Sequence, residues 1–256
     1  MTYCLGIRTR DGLVMASDSR SNAGYDQVNV CRKMHTFVKP GERALVILSS
    51  GSLSLTQSVI TLLRRDFDLG TGLATAPTLY DAARVAGEQV RKISDLDREA
   101  LERDEYRFNI HLLLGGQILG GPVDLYMIYP QGNPLRATED SPFLQIGEVK
   151  YGRPILDRAI RYNTTTLGEA ARCAMISIDS TMRSNVTVGP PIDMLLYRSD
   201  ELNISNYRRF NSNDPDLVKI QSQWEQSLRK AAQQLPEIKF PDTGPPDPIN
   251  DTTGRT

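Results

Sequence analysis

The chain has 256 residues, 39% hydrophobic and 24% charged, enough for one large domain or two small ones with a real core. A formal net charge of −1 points to no nucleic-acid or membrane surface, and no stretch nears the roughly 18 apolar residues of a membrane span. Cys4, Cys31 and Cys173, odd in number and widely spaced, match neither a disulfide framework nor a zinc site.

In chain order, Thr2–Thr9 alternates as a strand does, Asp11-Gly12 signals a hairpin turn, and Leu13–Ser17 resumes the extended pattern. Val28–Val38 and Ala44–Ser50 read as further strands, split by Pro40-Gly41. Leu55, Val59, Leu62, Leu63 and Phe67 then recur at helical spacing. Thr78 with Asp81 forms a capping box that opens a helix reaching Arg103. Phe108–Leu114 and Leu125–Tyr129 return to strand character, with Gly115-Gly116 and Gly120-Gly121 bracketing a tight turn. Helices follow at Ile155–Tyr162 and from Thr166, boxed with Glu169, to about Met182; Ile192–Tyr197 is the last core strand. Strands and helices are segregated along the chain rather than strictly alternating. This order predicts an α+β fold, two packed antiparallel sheets with helices outside.

Beyond Tyr197, Asp214-Pro215 starts another helix, whose stripe of Leu217, Ile220, Trp224, Leu228, Ala231 and Leu235 fits either its own domain or a neighbouring subunit. The polar, proline-rich 241–256 segment is expected to be a disordered tail. The expected division is therefore a domain over 1–200, a helical extension over 201–240, and that tail. With no apolar leader in the first twenty residues, a cytoplasmic protein is expected, without membrane contact.

Motifs for metal-dependent proteases, phosphate loops and paired thiols are missing, and neither His35 nor His111 lies in a nucleophile-elbow context. No cofactor or metal is expected. The chemistry-bearing residues are at the front. A threonine hydroxyl needs a base to take its proton, and an N-terminal threonine carries one in its own α-amine. Loss of Met1 would free the amine of Thr2. That amine titrates near pH 8, and a neighbouring cation brings it to useful base strength. Lys33 could be that cation, with Asp18 holding and balancing it. Taken singly, Thr2 reads as a strand-start residue behind a retained Met1, Asp18 as a turn residue, and Lys33 as a solvated charge.

The surrounding strings decide between these readings. Asp18-Ser19-Arg20, Ala23-Gly24 and Ser50-Gly51 before a helix resemble the proteasome β-subunit pattern. Gly120-Gly121-Pro122, Leu125-Tyr126 and Gly132-Asn133 are similar to that family's hairpin, and Ile146-Gly147, Tyr151-Gly152 and Ile155-Leu156-Asp157-Arg158 to its later glycine-rich segment. The resemblance spans about residues 2–200. The Met-Thr start, a shorter gap to the lysine, and the extra C-terminal helix resemble the bacterial ancestral β-subunit (Anbu) group; Asn29-Val30-Cys31-Arg32-Lys33-Met34 departs from the peptidase partnered by an unfoldase.

The resemblance implies a four-layer αββα sandwich of the N-terminal-nucleophile type with an added C-terminal helix. It implies Thr2 as nucleophile, Lys33 and Asp18 as its tuning pair, the Gly51 N–H as oxyanion donor, and Ser21, Ser49 and Leu53 near the first substrate pocket. It implies a peptide or protein substrate and a homo-oligomer, ring or open helix, and leaves room for an ATPase partner that the sequence does not identify. A small-amide amidase and an inactive scaffold ring are the rival readings. Two departures stand out. Where the family has a serine after glycine, this chain has Gly147-Glu148-Val149; where it has an Asp and a Ser three apart before glycine, this chain has Asn185 and Val188 before Gly189, with Asp179 and Ser184 out of register.

Overall fold

The computed structural model describes residues 2–22 and 28–240; Met1, Ala23-Gly24 and the 241–256 segment lie outside the described residues. The chain opens with a hairpin of β1 (Tyr3–Thr9) and β2 (Gly12–Asp18), paired from Thr9↔Gly12 to Cys4↔Ser17. Short strands β3 (Arg20–Asn22) and β4 (Val28–Val30) pair with each other alone. A second hairpin joins β5 (Met34–Lys39) to β6 (Arg43–Gly51) across Pro40-Gly41. The expected continuous strand Val28–Val38 is thus two strands in different sheets. The break falls where the Cys31 N–H bonds the Ser19 carbonyl and the Lys33 side chain turns inward to Asp18.

Helices α1 (Leu53–Asp68) and α2 (Leu79–Arg103) follow, the second opened by the Thr78–Asp81 capping box with both reciprocal bonds made. Next come β7 (Ile110–Ile118), β8 (Asp124–Ile128), β9 (Pro134–Arg136) and β10 (Phe143–Gly147). Then α3 (Arg153–Ala159), with Pro154 in its first turn, leads to α4 (Leu167–Ser184), capped by the Thr166–Glu169 box. Strands β11 (Ile192–Arg198) and β12 (Asn206–Phe210) carry the sheet past residue 200, and α5 (Pro215–Gln233) begins on the Asp214 cap.

Gly115 and Gly116 are not part of the β7–β8 turn, which sits at Gly120-Gly121. They lie inside β7, where Gly115 packs under Leu13 and Met15 and a side chain on Gly116 would strike the Ala44 carbonyl. A glycine pair reads as a turn, but here it lets the strand approach its neighbours closely.

Two five-stranded antiparallel sheets result, in the orders β10-β1-β2-β11-β12 and β5-β6-β7-β8-β9. Period-two alternation gives each sheet two apolar faces. Leu13, Met15, Val46, Leu48, Leu113 and Leu195 interdigitate between the sheets. The outer face of the second sheet, with Leu45, Ile47 and Leu114, packs on Val59, Leu63 and Ala83 of α1 and α2. The outer face of the first, with Leu5, Val14 and Ile192, packs on Ala174 and Ile178 of α4. The layers therefore run helix, sheet, sheet, helix.

The apolar stripe of α5 divides in two. Leu217 is buried and Ile220 packs on the α4 side, whereas Leu228 is exposed, as is Leu235, which lies past the end of the helix. Antiparallel pairing brings the N-terminus of β1, the C-termini of β2, β6 and β10, and the start of β7 to one end of the sandwich.

We expect Leu48→Ala, in the fully buried middle layer, to cost about 2–5 kcal/mol, because the hole cannot close between two sheets. Loss of the α4 cap in Thr166→Ala should cost about 1 kcal/mol. Urea unfolding followed by circular dichroism checks both, and a reversed order would contradict this packing.

Candidate active site

Thr2 stands half-buried immediately ahead of β1 and is held by its neighbours rather than by its own side chain. Its carbonyl accepts the Glu148 N–H at 2.8 Å, and the next amide, Tyr3 N–H, donates to Asp18 Oδ1 at 3.0 Å. The Tyr3 ring is fully buried. Its hydroxyl receives the Gln145 amide and lies 2.6 Å from Ser177 Oγ, which donates to the Gly152 carbonyl at 3.0 Å. Burial pushes the Tyr3 phenol up to about 12, so it stays neutral. A side chain at Gly152 would collide with this chain of hydroxyls, which accounts for the glycine of the Tyr151-Gly152 string.

Asp18 ends β2 with its side chain fully buried. The same Oδ1 that holds Tyr3 accepts Lys33 Nζ at 2.6 Å, while Oδ2 accepts Arg20 N–H at 3.1 Å and Gly189 N–H at 3.3 Å. Burial pushes the Asp18 carboxyl up from its ordinary value; the Lys33 charge and these hydrogen bonds pull it back. Lys33 is itself only 4% exposed, positioned by its own carbonyl accepting the Ser49 N–H at 3.0 Å. Thr2, Asp18 and Lys33 are therefore linked through one carboxylate oxygen and one peptide.

A cleft of about 480 Å³ opens beside Thr2. Gly51 and Gly147 form part of its wall, both at positive φ, +121° and +90°. A Cβ at Gly147 would strike the Thr2 carbonyl, and one at Gly51 the Asn109 carbonyl, so only glycine permits this approach of strands. Ser21, on β3, and Leu53, opening α1, also line the cleft. Ser49 does not: it is 6% exposed, and its neighbour Ser50 takes the wall position, with its Oγ beside Gly147. Ser52 and Asn109 complete the lining and carried no sequence signal; Asn109 arrives because β7 pairs with β6 up to Gly51↔Ile110.

The two departures from the family pattern meet in space. Asn185 Nδ2 donates to Glu148 Oε2 at 3.2 Å, and Asn185 Oδ1 accepts the Thr187 N–H at 3.0 Å. Val188 is buried in the apolar layer under α4, where it supplies packing and no hydroxyl. Asp179, buried, pairs with Arg183 at 3.4 Å. The Arg20 guanidinium lies against Gly189 and donates to the Val186 carbonyl at 2.7 Å.

Behind β2, Asp193 is fully buried and accepts from Ser19 Oγ, Tyr207 OH and Arg209, tying the β2–β3 turn to β12. Cys4 is buried beneath the site, its thiol pushed up by burial and so kept from the thiolate form. Neither histidine lines the cleft. His35 faces Arg64 on the α1 side, and His111 sits edge-on to Tyr129. Among the described residues, no group of three His, Cys, Asp or Glu side chains is placed to hold a metal.

No protein-family model matches the chain. Among solved structures it is similar to Anbu (ancestral beta-subunit) from Yersinia bercovieri, 43% identical with a TM-score of 0.88, covering 94% of this chain and 100% of that one. The helical assembly of the Anbu complex from Pseudomonas aeruginosa is 44% identical, TM-score 0.88, covering 93% and 98%. The Anbu (Gly-1) mutant from Hyphomicrobium sp. strain MC1 is 41% identical, TM-score 0.88, covering 94% and 100%. A curated relative, the proteasome subunit beta of Haloferax volcanii, is 25% identical over 213 residues, 82% of this chain and 78% of its own length.

Two antiparallel sheets between helix pairs, with these relatives, define a proteasome-like N-terminal-nucleophile fold. Within it, the chain belongs to the Anbu, or ancestral β-subunit, family.

Two outcomes test this geometry. Asp18→Asn leaves Lys33 buried without its counter-charge and should cost about 3–5 kcal/mol in urea unfolding, whereas Asp18→Ala with Lys33→Met removes both charges and should cost less than the single change. His35 is lowered to about 4 by burial, Arg64 and Arg32, against 6.5 when unfolded. The unfolded chain therefore binds the proton first, and stability should fall as pH drops from about 6.5 to about 4. His35→Gln should flatten that part of the profile, and an unchanged slope would remove His35 as its source.

Proposed function

We infer that this chain is a proteasome-related threonine hydrolase that cleaves peptide bonds from Thr2 once Thr2 is the first residue. The observation that carries the reading is the shared Asp18 oxygen: a buried ammonium, Lys33, and the Tyr3 amide meet on it directly beneath the Thr2–Tyr3 peptide. The reading is supported by the family relation and by a cleft that Thr2 and Gly51 share.

In the proposed reaction the α-amine takes the Oγ proton through a water molecule, and Oγ attacks the scissile carbonyl carbon. The positive charge of Lys33 favours the neutral amine and the developing alkoxide. The Gly51 N–H faces the oxyanion; a donor of this kind contributes about 3–4 kcal/mol to the barrier. The intermediate collapses to a Thr2 ester as the amine product leaves with the proton, and water then hydrolyses the ester, restoring Oγ–H. Ser21 and Leu53 border the bound substrate, with Ser50 in the place first expected for Ser49. Walls of hydroxyls, glycine and one leucine favour uncharged side chains.

The protein works as a homo-oligomer in this reading. A Pseudomonas aeruginosa relative forms a helical assembly, and the exposed Leu228 of α5, with Leu235 just past the helix end, offers apolar surface for a second copy. No described helix is long and apolar enough to cross a membrane, and the proposed location is the cytoplasm.

The test is the intact mass of the purified protein before and after a peptide epoxyketone, which needs a hydroxyl and a free amine on one residue. Loss of the Met1 mass with a single adduct, absent from Thr2→Ala, is the expected result. Retained Met1 in the assembled protein, with no adduct, would move the assignment to a scaffold subunit. An adduct together with turnover of small amides and none of peptides would move it to an amidase.

A further inference from the structure

The hydrogen bonds around Thr2 form a closed circuit. From the Thr2 carbonyl it passes to the Glu148 N–H, and from the Glu148 carboxylate to Asn185 Nδ2 at 3.2 Å. The Asn185 carbonyl accepts Val188 N–H at 3.1 Å, which shapes the turn that delivers Gly189 N–H to Asp18 Oδ2 at 3.3 Å. Asp18 Oδ1 then accepts Tyr3 N–H at 3.0 Å, one peptide from the start. Every link but one is a backbone bond at the end of a strand or helix or a bond to the buried carboxylate. The exception is the side-chain bond between Glu148 and Asn185, 37 residues apart and only partly buried.

We propose that Glu148 and Asn185 are a positioning pair, a latch that closes this circuit and sets the orientation of the Thr2–Tyr3 peptide over Lys33. Three observations converge on it. Glu148 uses both ends: its amide holds Thr2 and its carboxylate holds Asn185. Asn185 is the C-cap of α4, its N–H closing on Thr181 at 2.9 Å while its Oδ1 is occupied by Thr187, so its Nδ2 is aimed by the helix end. Arg20, whose amide also binds Asp18, reaches across to the Val186 carbonyl, clamping the same turn from the other side. Breaking the latch frees the 185–189 turn at one end, loosens its hold on Asp18 through Gly189, and lets the Glu148 main chain shift against Thr2. Neither side chain takes part in bond making; both act through the main chain they hold.

The proposal rests on Thr2 as nucleophile only for its reactive readout; the latch itself is read separately. Full-length protein is compared as wild type, Glu148→Ala, Asn185→Ala, and the donor–acceptor reversal Glu148→Gln with Asn185→Asp, in which the glutamine amide donates to the new carboxylate. Amide hydrogen exchange is followed by mass spectrometry in peptides spanning 145–153 and 185–194, and the rate of epoxyketone labelling at Thr2 is measured alongside. In each alanine variant, exchange should rise about tenfold at both ends of the circuit, including the end not mutated. Labelling should slow about tenfold or more, since small displacements of a nucleophile are costly. The reversal should restore both. Unchanged exchange at the unmutated end, or a reversal no better than the single variants, would overturn the latch whether or not Thr2 reacts. Failure of the wild type to label would overturn the threonine-hydrolase reading, while the exchange data still decide the latch.

Discussion

Asp18 brings four donors from four separate parts of the chain to one buried carboxylate: the amide that follows Thr2, the β3 amide of Arg20, the Lys33 ammonium between β4 and β5, and the Gly189 amide ahead of β11. A carboxylate without water must find its full complement of partners or lose its charge. The fold solves this by convergence: each donor's position is set by the strand or turn that carries it, so satisfying Asp18 fixes all of them relative to Thr2. The ion pair with Lys33 need not add net stability, because desolvating both groups offsets most of their attraction. What it contributes is a positive charge held at a defined place under the N-terminal peptide.

The rest of the site works by close approach. Gly147 and Gly51 press the backbones of β10 and β6 against Thr2 and against the start of β7, where any side chain would push the strands apart. Tyr3 supplies the opposite constraint, a large ring driven into the layer under α4 with its hydroxyl satisfied by Ser177 and Gln145. A chain terminus ordinarily frays. Here the side chain of residue 3 is an apolar anchor, its amide is claimed by Asp18, and the preceding carbonyl is claimed by Glu148.

Much of this was legible in the sequence, and the exceptions have physical causes. The α+β class followed from the order of strands and helices, the αββα layering from the resemblance to proteasome β-subunits, and the Asp18, Lys33 and Gly51 strings marked residues that the fold does bring to one end of the sandwich. Ser49 and Ser50 are adjacent and chemically identical, but successive strand residues face opposite sides of the sheet. Only the register against Leu112 and His111 tells which of them lines the cleft. Gly115-Gly116 carried the composition of a turn, yet Leu13 and Met15 crowding Gly115, and the Ala44 carbonyl against Gly116, are what require glycine there. Strand β10, short and preceded by Pro142, has too few residues for its alternation to register. The Glu148–Asn185 contact could not be read at all, because each residue taken alone is simply a departure from the expected hydroxyl and carboxylate. Only folding shows that the two departures are complementary.

That complementarity bears on how the N-terminal nucleophile proposed at Thr2 would be built. When the attacking oxygen and its base belong to one residue, neither can be used to tether that residue without blocking the chemistry. Among the described residues, the bonds at this terminus engage the Thr2 carbonyl, the Tyr3 amide and the Tyr3 phenol, and not the Thr2 hydroxyl. Orientation must then be imposed from the second residue and from the first carbonyl. Such indirect control demands a stiff frame, because rotation about the Thr2 backbone amplifies any slack in the groups that hold it. A closed circuit of hydrogen bonds is stiffer than an open chain of the same bonds, since each link limits the motion of the next. In this molecule the circuit closes through an acid and an amide in place of a hydroxyl network, so the constraint is carried by one side-chain contact between the end of β10 and the end of α4.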